Sequence, residues 1–343
     1  MSQDILSDVL RSVRLRGALF FYVQGGLNWA AEAPRSRDIA AAVMPGAEHV
    51  MEYHVITRGS CWGAIVGESP VRLGAGDIVL FPQGDAHVVS SAPGARAAVH
   101  MTDYLGKVDH LPFTLHFDAA ETRPETPVEA CAQTTLVCGF LGCDVRPFNP
   151  LIATLPRLLH LKANAKPDWI EQFARHAVTE SNDRRPGADA MLERMSEMMF
   201  IDAVRRYVDT LPEDSRGWLA GLRDRYVGRA LALMHEAPAA DWSVDELSRR
   251  VGLSRSALHE RFAEMIGQAP VQYLTNWRMQ VASSLLRRTN ATIASIAQEV
   301  GYDSEAAFAR AFKRLVGKPP AAWRRHKAQR APARPRSPDR PSP

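Results

Sequence analysis

Two segments in the last third of the chain place polar side chains at repeated positions. Residues 251–270 read VGLSRSALHERFAEMIGQAP, and residues 300–320 read VGYDSEAAFARAFKRLVGKPP. The solvent-facing candidates in the two repeats are Arg255, Ser256, His259, Glu260, Glu305, Ala306, Ala307 and Arg310. The planar guanidinium of Arg310 can bond the O6 and N7 atoms of guanine together, so these positions favour direct reading of base edges in a DNA groove.

The other candidates offer less specific chemistry. His259 could donate a hydrogen bond to a base or to a phosphate. Glu260 could accept one from a cytosine amino group, or it could pair with a neighbouring arginine. Ala306 and Ala307 can give only apolar contact, for example with a thymine methyl group. The basic candidates for phosphate contacts, several of which must be ordinary solvated surface, are Arg278, Arg287, Arg288, Lys313, Arg314, Lys318, Arg324 and Arg325.

A helix-turn-helix in each repeat would position these side chains. The first copy contains, in order, an N-cap, its capping-box partner, a turn glycine and a second N-cap: Ser243, Glu246, Gly252 and Ser254. The second copy repeats the N-cap, the turn glycine and the second N-cap: Thr292, Gly301 and Ser304. The capping box predicts a short helix over residues 244–251, and the glycine tolerates the positive φ of a tight turn between helices. The pattern therefore predicts two helix-turn-helix motifs in tandem.

The segment between the two motifs sets their separation. It reads PVQYLTNWRMQVASSLLRRT and predicts one helix of about 20 residues, or roughly 30 Å at 1.5 Å per residue. One turn of B-DNA spans about 34 Å. Both second helices could therefore lie in successive major grooves on one face of a duplex.

Charge is distributed unevenly along the chain. Residues 1–240 hold 24 Lys and Arg against 29 Asp and Glu, a balance of −5, and residues 241–343 hold 18 against 9, a balance of +9, which together give the net charge of +4. A basic C-terminal third indicates a polyanionic partner, although a basic face that is only solvated would have the same composition.

Composition excludes several other classes of protein. No apolar run approaches the roughly 20 residues that span a bilayer. The start, MSQDILSDVLRSVRLRG, has no apolar stretch followed by a small-residue cleavage site, so the protein is expected to be cytoplasmic. The four cysteines contain no CxxC pair and predict reduced thiols: Cys61, Cys131, Cys138 and Cys143.

The rest of the chain divides by its secondary-structure pattern. Short β-type runs separated by turn clusters over residues 19–145 predict a barrel or sandwich. A helical pattern follows, including a stripe that should be buried within the chain or in a dimer: Met191, Met195, Met198, Ile201, Val204 and Val208. We therefore predict a β domain over residues 1–148, a helical connector with a possible dimer contact over 149–217, a helical DNA-binding domain over 218–327, and a disordered Pro- and Arg-rich tail over 328–343.

The C-terminal pattern resembles a known family. From about residue 223 to residue 325, the runs WSVDELSRRVGLSRSALHERF, YLTNWRM and IAQEVGYDSEAAFARAFKRLVGKPPAAWR occur in the order typical of the DNA-binding domain of AraC/XylS transcription regulators. The resemblance implies a seven-helix domain with two helix-turn-helix motifs that binds double-stranded DNA. It also implies that the protein usually activates transcription by contacting RNA polymerase.

The N-terminal pattern resembles the cupin fold. GDIVLFPQGDAH over residues 76–87 is similar to the second cupin motif, G-x5-P-x-G-x2-H, in which His87 would project into a barrel. Cupin enzymes use this histidine as a metal ligand beside an HxH pair and a glutamate. Here the first motif, EYHVITRG, has Glu52 for the first histidine and Arg58 for the carboxylate, and Ser91 replaces a later asparagine. A cation at that position would disfavour metal binding.

Taken together, the resemblances cover nearly the whole chain and imply a cupin-type sensor for a small molecule or chemical signal. Glu52, His54 and His87 could supply polar anchors for an effector, with Trp62 as an apolar wall. Alternatively, the histidines are structural, or Glu52, His54 and His87 bind a transition metal. Cys138 and Cys143 could sense oxidants if their side chains converge, although buried cysteine is usually a small apolar core residue.

The sequence therefore predicts an α+β multidomain transcription activator without enzymatic activity, catalytic residues, a cofactor or a bound metal. Its expected partners are double-stranded DNA, RNA polymerase, an unidentified effector and a second copy of the chain in a homodimer, and no membrane. The alternatives are a metal-dependent cupin enzyme with a DNA-binding appendage and a non-specific DNA-binding protein.

Overall fold

The computed structural model describes residues 4–97, 113–117, 134–163 and 186–329, together with residues 172, 173, 176, 177 and 179. Its strands are β1 Arg16–Gly25, β2 Ala30–Ala33, β3 His49–Arg58, β4 Ser60–Ile65, β5 Val71–Gly74, β6 Ile78–Phe81, β7 His87–Ser90, β8 Phe113–Phe117, β9 Thr134–Cys143 and β10 Leu159–Leu161. Its helices are α1 Ile5–Ser12, α2 Ser36–Val43, α3 Pro150–Thr154, α4 Ala188–Thr210, α5 Trp218–Arg223, α6 Arg225–Glu236, α7 Val244–Val251, α8 Arg255–Ile266, α9 Pro270–Arg288, α10 Ile293–Glu299, α11 Glu305–Val316 and α12 Pro320–Gln329. Cys131 and most of the predicted tail lie outside these residues.

The strands form two sheets. The six-stranded sheet has the order β10-β6-β3-β9-β1-β8, and the four-stranded sheet has the order β2-β7-β4-β5. Neighbours are antiparallel except for β1 and β8, which run parallel. The expected β-rich cupin-like domain followed by a helical domain is confirmed, but the described strands do not close into a barrel.

The six-stranded sheet is buried on both faces. Toward the other sheet, Phe21 and Phe140 pack in one core. Toward the helices, Tyr53 belongs to a second core that includes Phe200 of α4. Because both faces are covered, β3 is buried from Val50 to Ile56 on both of its sides, including its polar residues Glu52 and His54.

Helix α4 lies unusually close to strand β1. A Cβ atom added to Gly17 in β1 would come 2.5 Å from the Ser196 Cβ and 2.6 Å from the Glu193 carbonyl oxygen of α4. A side chain at position 17 would therefore push the helix off the sheet. This glycine sets how closely the helical connector packs on the β domain.

The buried face of α4 differs from the predicted stripe. The residues buried against the sheet are Leu192, Ser196, Met199, Phe200, Ala203 and Val204. Met195, Ile201 and Val208 are half-buried at the margin of this core, whereas Met191 and Met198 are 51% and 57% exposed. Apolar residues lie on more than one face of this helix. The buried face predicted from their periodicity is therefore rotated away from the face that contacts the sheet.

Residues after Asn149, where a helical pattern was predicted, contain a strand. Leu159 and Leu161 of β10 are buried and pair with Leu80 and Ile78 of β6 in antiparallel register. A three-residue edge strand carries too little pattern to be recognised in a sequence. Its position is determined by the exposed edge of β6, which it covers.

The two helix-turn-helix motifs differ in what they pack against. Leu247, Leu258 and Phe262 of the first motif belong to the core that also contains Tyr53 and Leu192. The second motif has a separate core with α9 and α12: Met279, Ala282, Leu286, Ile296, Ala297, Val300, Phe308, Phe312, Val316 and Trp323. The first motif is therefore tied to the β domain, and the second is not part of that core.

The predicted caps of both motifs are confirmed. The hydroxyl groups of Ser243 and Ser254 accept hydrogen bonds from the Glu246 and Ala257 amides at 3.1 and 3.2 Å. Gly252 has φ +84° and donates its amide to the Ser248 carbonyl.

The second motif repeats this arrangement. Thr292 and Ser304 accept from the Ser295 and Ala307 amides at 3.0 and 3.2 Å, and Gly301 has φ +80°. Local sequence therefore determines both turns.

The two turn glycines offer a matched test of crowding. Gly301→Ala should destabilise the protein more than Gly252→Ala. Both residues need positive φ, which costs an alanine about 1–2 kcal/mol. A Cβ at Gly301 would also meet the Ala239 carbonyl oxygen at 2.7 Å, whereas a Cβ at Gly252 would have no atom of the described residues within 4 Å. Relieving that overlap should add about 1–3 kcal/mol, measured as unfolding free energy in urea. Equal losses for the two variants would show that the loop before α7 does not restrain the second turn.

Candidate functional site

The first candidate DNA-reading helix is α8. Leu258 and Phe262 are fully buried and fix the orientation of the helix. Arg255, Ser256, His259 and Glu260 are all exposed on the opposite side. The Arg255 guanidinium lies 3.3 Å from the Asp245 carboxylate. Because this ion pair is exposed, another anion can take the place of the carboxylate. The four predicted residues thus form one polar surface.

The second candidate reading helix, α11, has the same orientation within its own core. Phe308 and Phe312 are fully buried, and Glu305, Ala306 and Arg310 are exposed. Ala307 is half-buried. The basic residues Lys313, Arg314 and Arg325 are exposed as well, whereas Arg324 is half-buried and donates to the Ala291 carbonyl oxygen at 2.7 Å.

Two arginines that were phosphate candidates serve other roles. Arg278 donates to the Pro238 and Ala240 carbonyl oxygens at 2.7 and 2.8 Å and holds the loop before α7. The side chain of Arg287 is only 4% exposed. Its position on the inner side of α9 places it away from solvent, so the structure removes it from the set of phosphate contacts.

Helix α9 separates the two motifs. It is continuous over 19 residues, which corresponds to about 28 Å at 1.5 Å per residue. Trp277 is buried in the core shared with the β domain, and Met279 and Leu286 are buried in the core of the second motif. The helix therefore joins the two motifs as one rigid spacer.

A second cluster of polar groups lies inside the β domain. Glu52 and His54 project from β3, and His87 begins β7 in the facing sheet. The Nε2 atoms of His54 and His87 are 2.9 Å apart. The Glu52 carboxylate oxygens lie 4.0 Å from Nε2 of His54 and 3.7 Å from Nε2 of His87. We call these three residues the carboxylate–histidine cluster.

Hydrogen bonds around this cluster indicate the tautomers of the two histidines. Nδ1 of His87 lies 2.9 Å from the Asp85 carbonyl oxygen, which can only accept, so this nitrogen carries the proton. Nε2 of His87 is then an acceptor for the Nε2–H of His54. The remaining nitrogen of His54, Nδ1, accepts from the Cys138 thiol, with the sulfur 2.9 Å away. With these tautomers, one chain of hydrogen bonds runs from the Cys138 thiol through His54 and His87 to the Asp85 carbonyl oxygen.

Burial dominates the electrostatics of the cluster. It raises the pKa of the Glu52 carboxyl group to about 8 and lowers the pKa of the His87 imidazole to about 4. Burial and then the neighbouring His87 lower the pKa of His54 well below its usual value. The ring of His87 stacks on Phe81 with centroids 3.7 Å apart. All three groups are therefore neutral near pH 7. Among the residues that the structure describes, neither Glu52 oxygen has a hydrogen-bond partner.

Trp62 does not join this cluster. Along β4, Cys61, Gly63 and Ile65 point into the core and Trp62 points to the opposite face of the sheet. There it lines a small open pocket of about 120 Å³ with Val88, Ser90 and Arg96. The predicted effector pocket of four residues is thus divided, because neighbouring positions on a strand face opposite sides.

Two other predicted departures from the cupin pattern have structural explanations. Arg58 is exposed at the end of β3, where it pairs with Thr135, whereas His54 pairs with Cys138 further along the same strands. Ser91 is buried and bonds the Trp29 backbone in both directions, accepting at 2.9 Å and donating at 3.1 Å. Arg58 therefore does not place a cation inside the cluster. Ser91 stabilises the edge of the four-stranded sheet through its two hydrogen bonds to Trp29.

Cys138 and Cys143 do not converge. They lie five positions apart on β9, on opposite faces, so that Cys138 belongs to the core between the sheets and Cys143 to the core on the helical side. A disulfide needs Cβ atoms about 3.5–4.5 Å apart. Both thiols are buried, and burial raises both pKa values above the usual thiol value. The structure favours small apolar core residues over an oxidant-sensing pair.

A buried ion network joins the β domain to α9. The carboxylate of Asp144, just after β9, accepts two hydrogen bonds from Arg14 at 2.6 and 2.7 Å. The Arg287 guanidinium lies 3.2 Å from the same carboxylate, and it donates to Ser283 Oγ and to the Ser12 carbonyl oxygen. Desolvation by burial lowers the pKa of Arg287. Asp144 is 1% exposed and holds both guanidinium groups in place.

Two hydrogen bonds of a neutral amide and one longer polar contact extend the interface between the two domains. Gln280 of α9 is fully buried; its amide nitrogen donates to the Ser12 carbonyl oxygen at 2.9 Å, and its amide oxygen accepts from the Phe148 amide at 3.1 Å. His235 of α6 lies 3.7 Å from the Asp8 carboxylate of α1. Sequence reasoning gave Gln280 and Asp144 no role, since nothing in a single sequence pairs positions this far apart.

Two family models match the chain. A model described as Cupin matches residues 4–209, and a model described as Helix-turn-helix domain matches residues 247–326. A cupin domain joined to tandem helix-turn-helix motifs defines a DNA-binding transcription regulator. Since the cupin model covers more than half of the chain, and a full-length relative reaches 31% identity, the protein belongs to the AraC family of transcription regulators.

Similar proteins span nearly the whole chain. A putative AraC-like transcription regulator of Streptomyces lividans is 31% identical over 94% of this chain and 98% of its own length. The regulator AlkR of Acinetobacter baylyi is 26% identical over 94% and 99%. Among solved structures, the DNA-binding domain of AdpA in complex with a target DNA is 29% identical with a TM-score of 0.30, covering 33% of this chain and 99% of that one. Within the described part of the chain, no helix is long and apolar enough to cross a membrane.

Removing the charge of Asp144 should be costly. Asp144→Asn leaves the buried Arg287 guanidinium without its carboxylate, and breaking a buried pair in this way typically costs about 3–5 kcal/mol. Glu246→Gln is the control, because Glu246 pairs with two arginines on the exposed side of α7. It should change the unfolding free energy far less. Similar losses for both variants would mean that the network contributes no more than a surface ion pair.

The two β9 thiols should be inert in the folded protein. We expect N-ethylmaleimide to label Cys138 and Cys143 only after denaturation, since both are buried and their pKa values are raised. Peptide mass spectrometry after a native and a denaturing pulse provides the measurement. Detection of a disulfide between the two after peroxide treatment would contradict their placement on opposite faces of β9.

Proposed function

We propose that this regulator binds a specific DNA sequence with α8 and α11 in successive major grooves and activates transcription by contacting RNA polymerase. The proposal rests on one observation. Helices α8 and α11, the second helices of the two motifs, are capped in the same way, and each exposes a polar face. A spacer of about 28 Å is close to one turn of B-DNA, about 34 Å, which suits two grooves on one side of the duplex.

The predicted readers keep their assigned roles in this proposal. Arg310 reads a guanine, and Arg255, Ser256, His259, Glu260, Glu305 and Ala306 supply the remaining contacts to base edges. The exposed basic residues around α11 bind phosphates: Lys313, Arg314 and Arg325. Arg324 also reaches the phosphate backbone, using donors not engaged by the Ala291 carbonyl.

The cupin domain receives the signal at Glu52, His54 and His87. A route from this cluster to the DNA-binding helices is short, because Cys138 touches His54 and lies on β9, and Asp144 follows the end of β9. Asp144 holds Arg287 of α9, the helix that spaces the two motifs. A signal that shifts β9 would change the position of α9, and with it the population of chains able to bind both grooves.

We assign residues 1–148 to the sensor, 149–217 to the connector and 218–327 to the DNA-binding domain of a cytoplasmic protein. The exposed Met191 and Met198 on α4 support a homodimer contact through the connector, since large apolar side chains on one helix face favour a partner surface. An enzymatic role is disfavoured by the burial of the carboxylate–histidine cluster, whose three side chains are at most 3% exposed.

Genomic binding selection tests the regulator directly. Purified protein is mixed with fragmented DNA from its own source at moderate salt, and the retained fragments are sequenced. We expect a site with two short elements about one helical turn apart, as the α9 spacer requires. Uniform recovery of all fragments, with and without a cell extract to supply the signal, would contradict sequence-specific binding.

Arg310 and Arg325 should have different effects on DNA binding. Arg310→Ala should cost about 1–3 kcal/mol on the selected site and relax the preference at one base pair. Arg325→Ala should weaken binding to all duplexes alike and reduce the salt slope by about one unit, as loss of a phosphate contact does. Fluorescence anisotropy on matched and single-substituted duplexes over a salt series separates the two effects. A uniform loss from Arg310→Ala would make that residue a phosphate contact instead.

A further inference from the structure

An exposed ion pair joins the two helices of the first motif. Arg255 is the first residue of α8, and Asp245 lies in the first turn of α7. Their side chains are 71% and 59% exposed, and Nη1 of Arg255 lies 3.3 Å from a carboxylate oxygen of Asp245. Ion pairs this exposed contribute little to folding stability. Stability therefore does not explain why the two charges are placed together.

The second motif folds in the same way without this pair. Counted from the first cap of each motif, Ala294 occupies the position of Asp245. Counted from the second cap, Glu305 occupies the position of Arg255. The helices of both motifs are nevertheless capped alike. A helix-turn-helix thus does not require the pair, which belongs to the first motif.

The two acidic residues of α7 have different partners. Glu246 contacts Arg249 and Arg250 at the other end of the same helix. Asp245 contacts Arg255 across the turn. Removing either carboxylate changes the charge of the motif by the same amount. Of the two, Asp245 is the one that contacts a residue at the start of a reading helix.

The chemistry of the guanidinium group determines what this contact does. Nη1 makes the closest approach to Asp245, so Nε and Nη2 of Arg255 remain to donate to another group. A guanine edge is neutral, and Arg255 can bond its O6 and N7 atoms while it stays beside Asp245. A phosphate on the same guanidinium would be repelled by the carboxylate. The carboxylate therefore favours a base over the DNA backbone as the partner of Arg255.

We propose that Asp245 is a specificity-determining positioning residue, which keeps Arg255 off the phosphate backbone and directs its guanidinium toward a guanine. In a helix-turn-helix, the N-terminal residues of the second helix contact base edges, and Arg255 lies there. Holding the side chain before DNA binds also reduces the entropy that is lost in the complex. The inference rests on the proposed function, since it requires α8 to read a duplex.

Fluorescence anisotropy of the full-length chain provides the test. The duplexes are the genomically selected site, the same site with each base pair exchanged in turn, and a random sequence. Arg255→Ala identifies the base pair that Arg255 reads, because the preference there should fall about 5–150-fold, as for a lost bidentate contact.

Asp245→Asn preserves the size of the side chain and removes its charge. It should lower the preference at the same base pair about 2–10-fold, since Arg255 is no longer held in place. The salt slope on the random duplex should become about one unit steeper, because Arg255 then binds a phosphate. Asp245→Glu, which keeps the charge, should restore both values.

Glu246→Gln is the matched control, because it removes the same charge from the same turn of α7 and leaves Arg255 paired. It should tighten binding to every duplex and leave the preference at each base pair unchanged. A double-mutant cycle gives a second check: Asp245→Asn should have no effect on base preference in a chain that already carries Arg255→Ala. Unfolding in urea verifies that each variant is folded.

The outcomes separate this inference from the proposed function. A wild-type chain that binds all duplexes alike would contradict the regulator itself, and the role of Asp245 with it. Suppose instead that the wild-type chain is specific, but Arg255→Ala relaxes no base pair, or Asp245→Asn and Glu246→Gln change base preference equally. Either result would overturn the inference and leave the regulator standing.

Discussion

The arrangement of the two domains depends on the buried ion network around the Asp144 carboxylate. This carboxylate lies at the end of the central strand β9 and is almost fully buried, with Arg14 on one side and Arg287 on the other. A buried carboxylate between two guanidinium groups is stable only if its partners stay in place, because each unpaired charge would be costly. The network therefore fixes α9 against the β domain more specifically than apolar packing would.

This attachment makes the two DNA-binding motifs unequal. The first shares a continuous core with the β domain, and the second has its own core around Phe308, Phe312 and Trp323. Any rearrangement inside the β domain is transmitted to the first motif through direct packing. Among the described residues, it reaches the second through α9 and through the loop before α7, whose Ala239 backbone lies against Gly301. In the proposed regulator, a signal received by the β domain would therefore change the geometry between the two motifs.

Local features could be predicted from the sequence, and contacts between distant segments could not. The caps at Ser243, Ser254 and Ser304 depend on residues three positions apart, and all three were predicted correctly. The predicted effector pocket included Trp62, which faces the other side of its sheet, because strand register decides the face and one sequence does not reveal register. Arg287 was included among the candidates for phosphate contacts for a similar reason, since its partner Asp144 lies in another part of the chain.

The continuous helix α9 has a further consequence for how genomes encode binding sites. A helix of 19 residues does not stretch or twist readily, so it fixes both the distance and the rotation between α8 and α11. In the proposed complex, base changes within either element would weaken binding by degrees. Inserting half a helical turn of DNA between the elements would place one of them on the far side of the duplex. The number of base pairs between the elements thus carries as much information as the bases themselves.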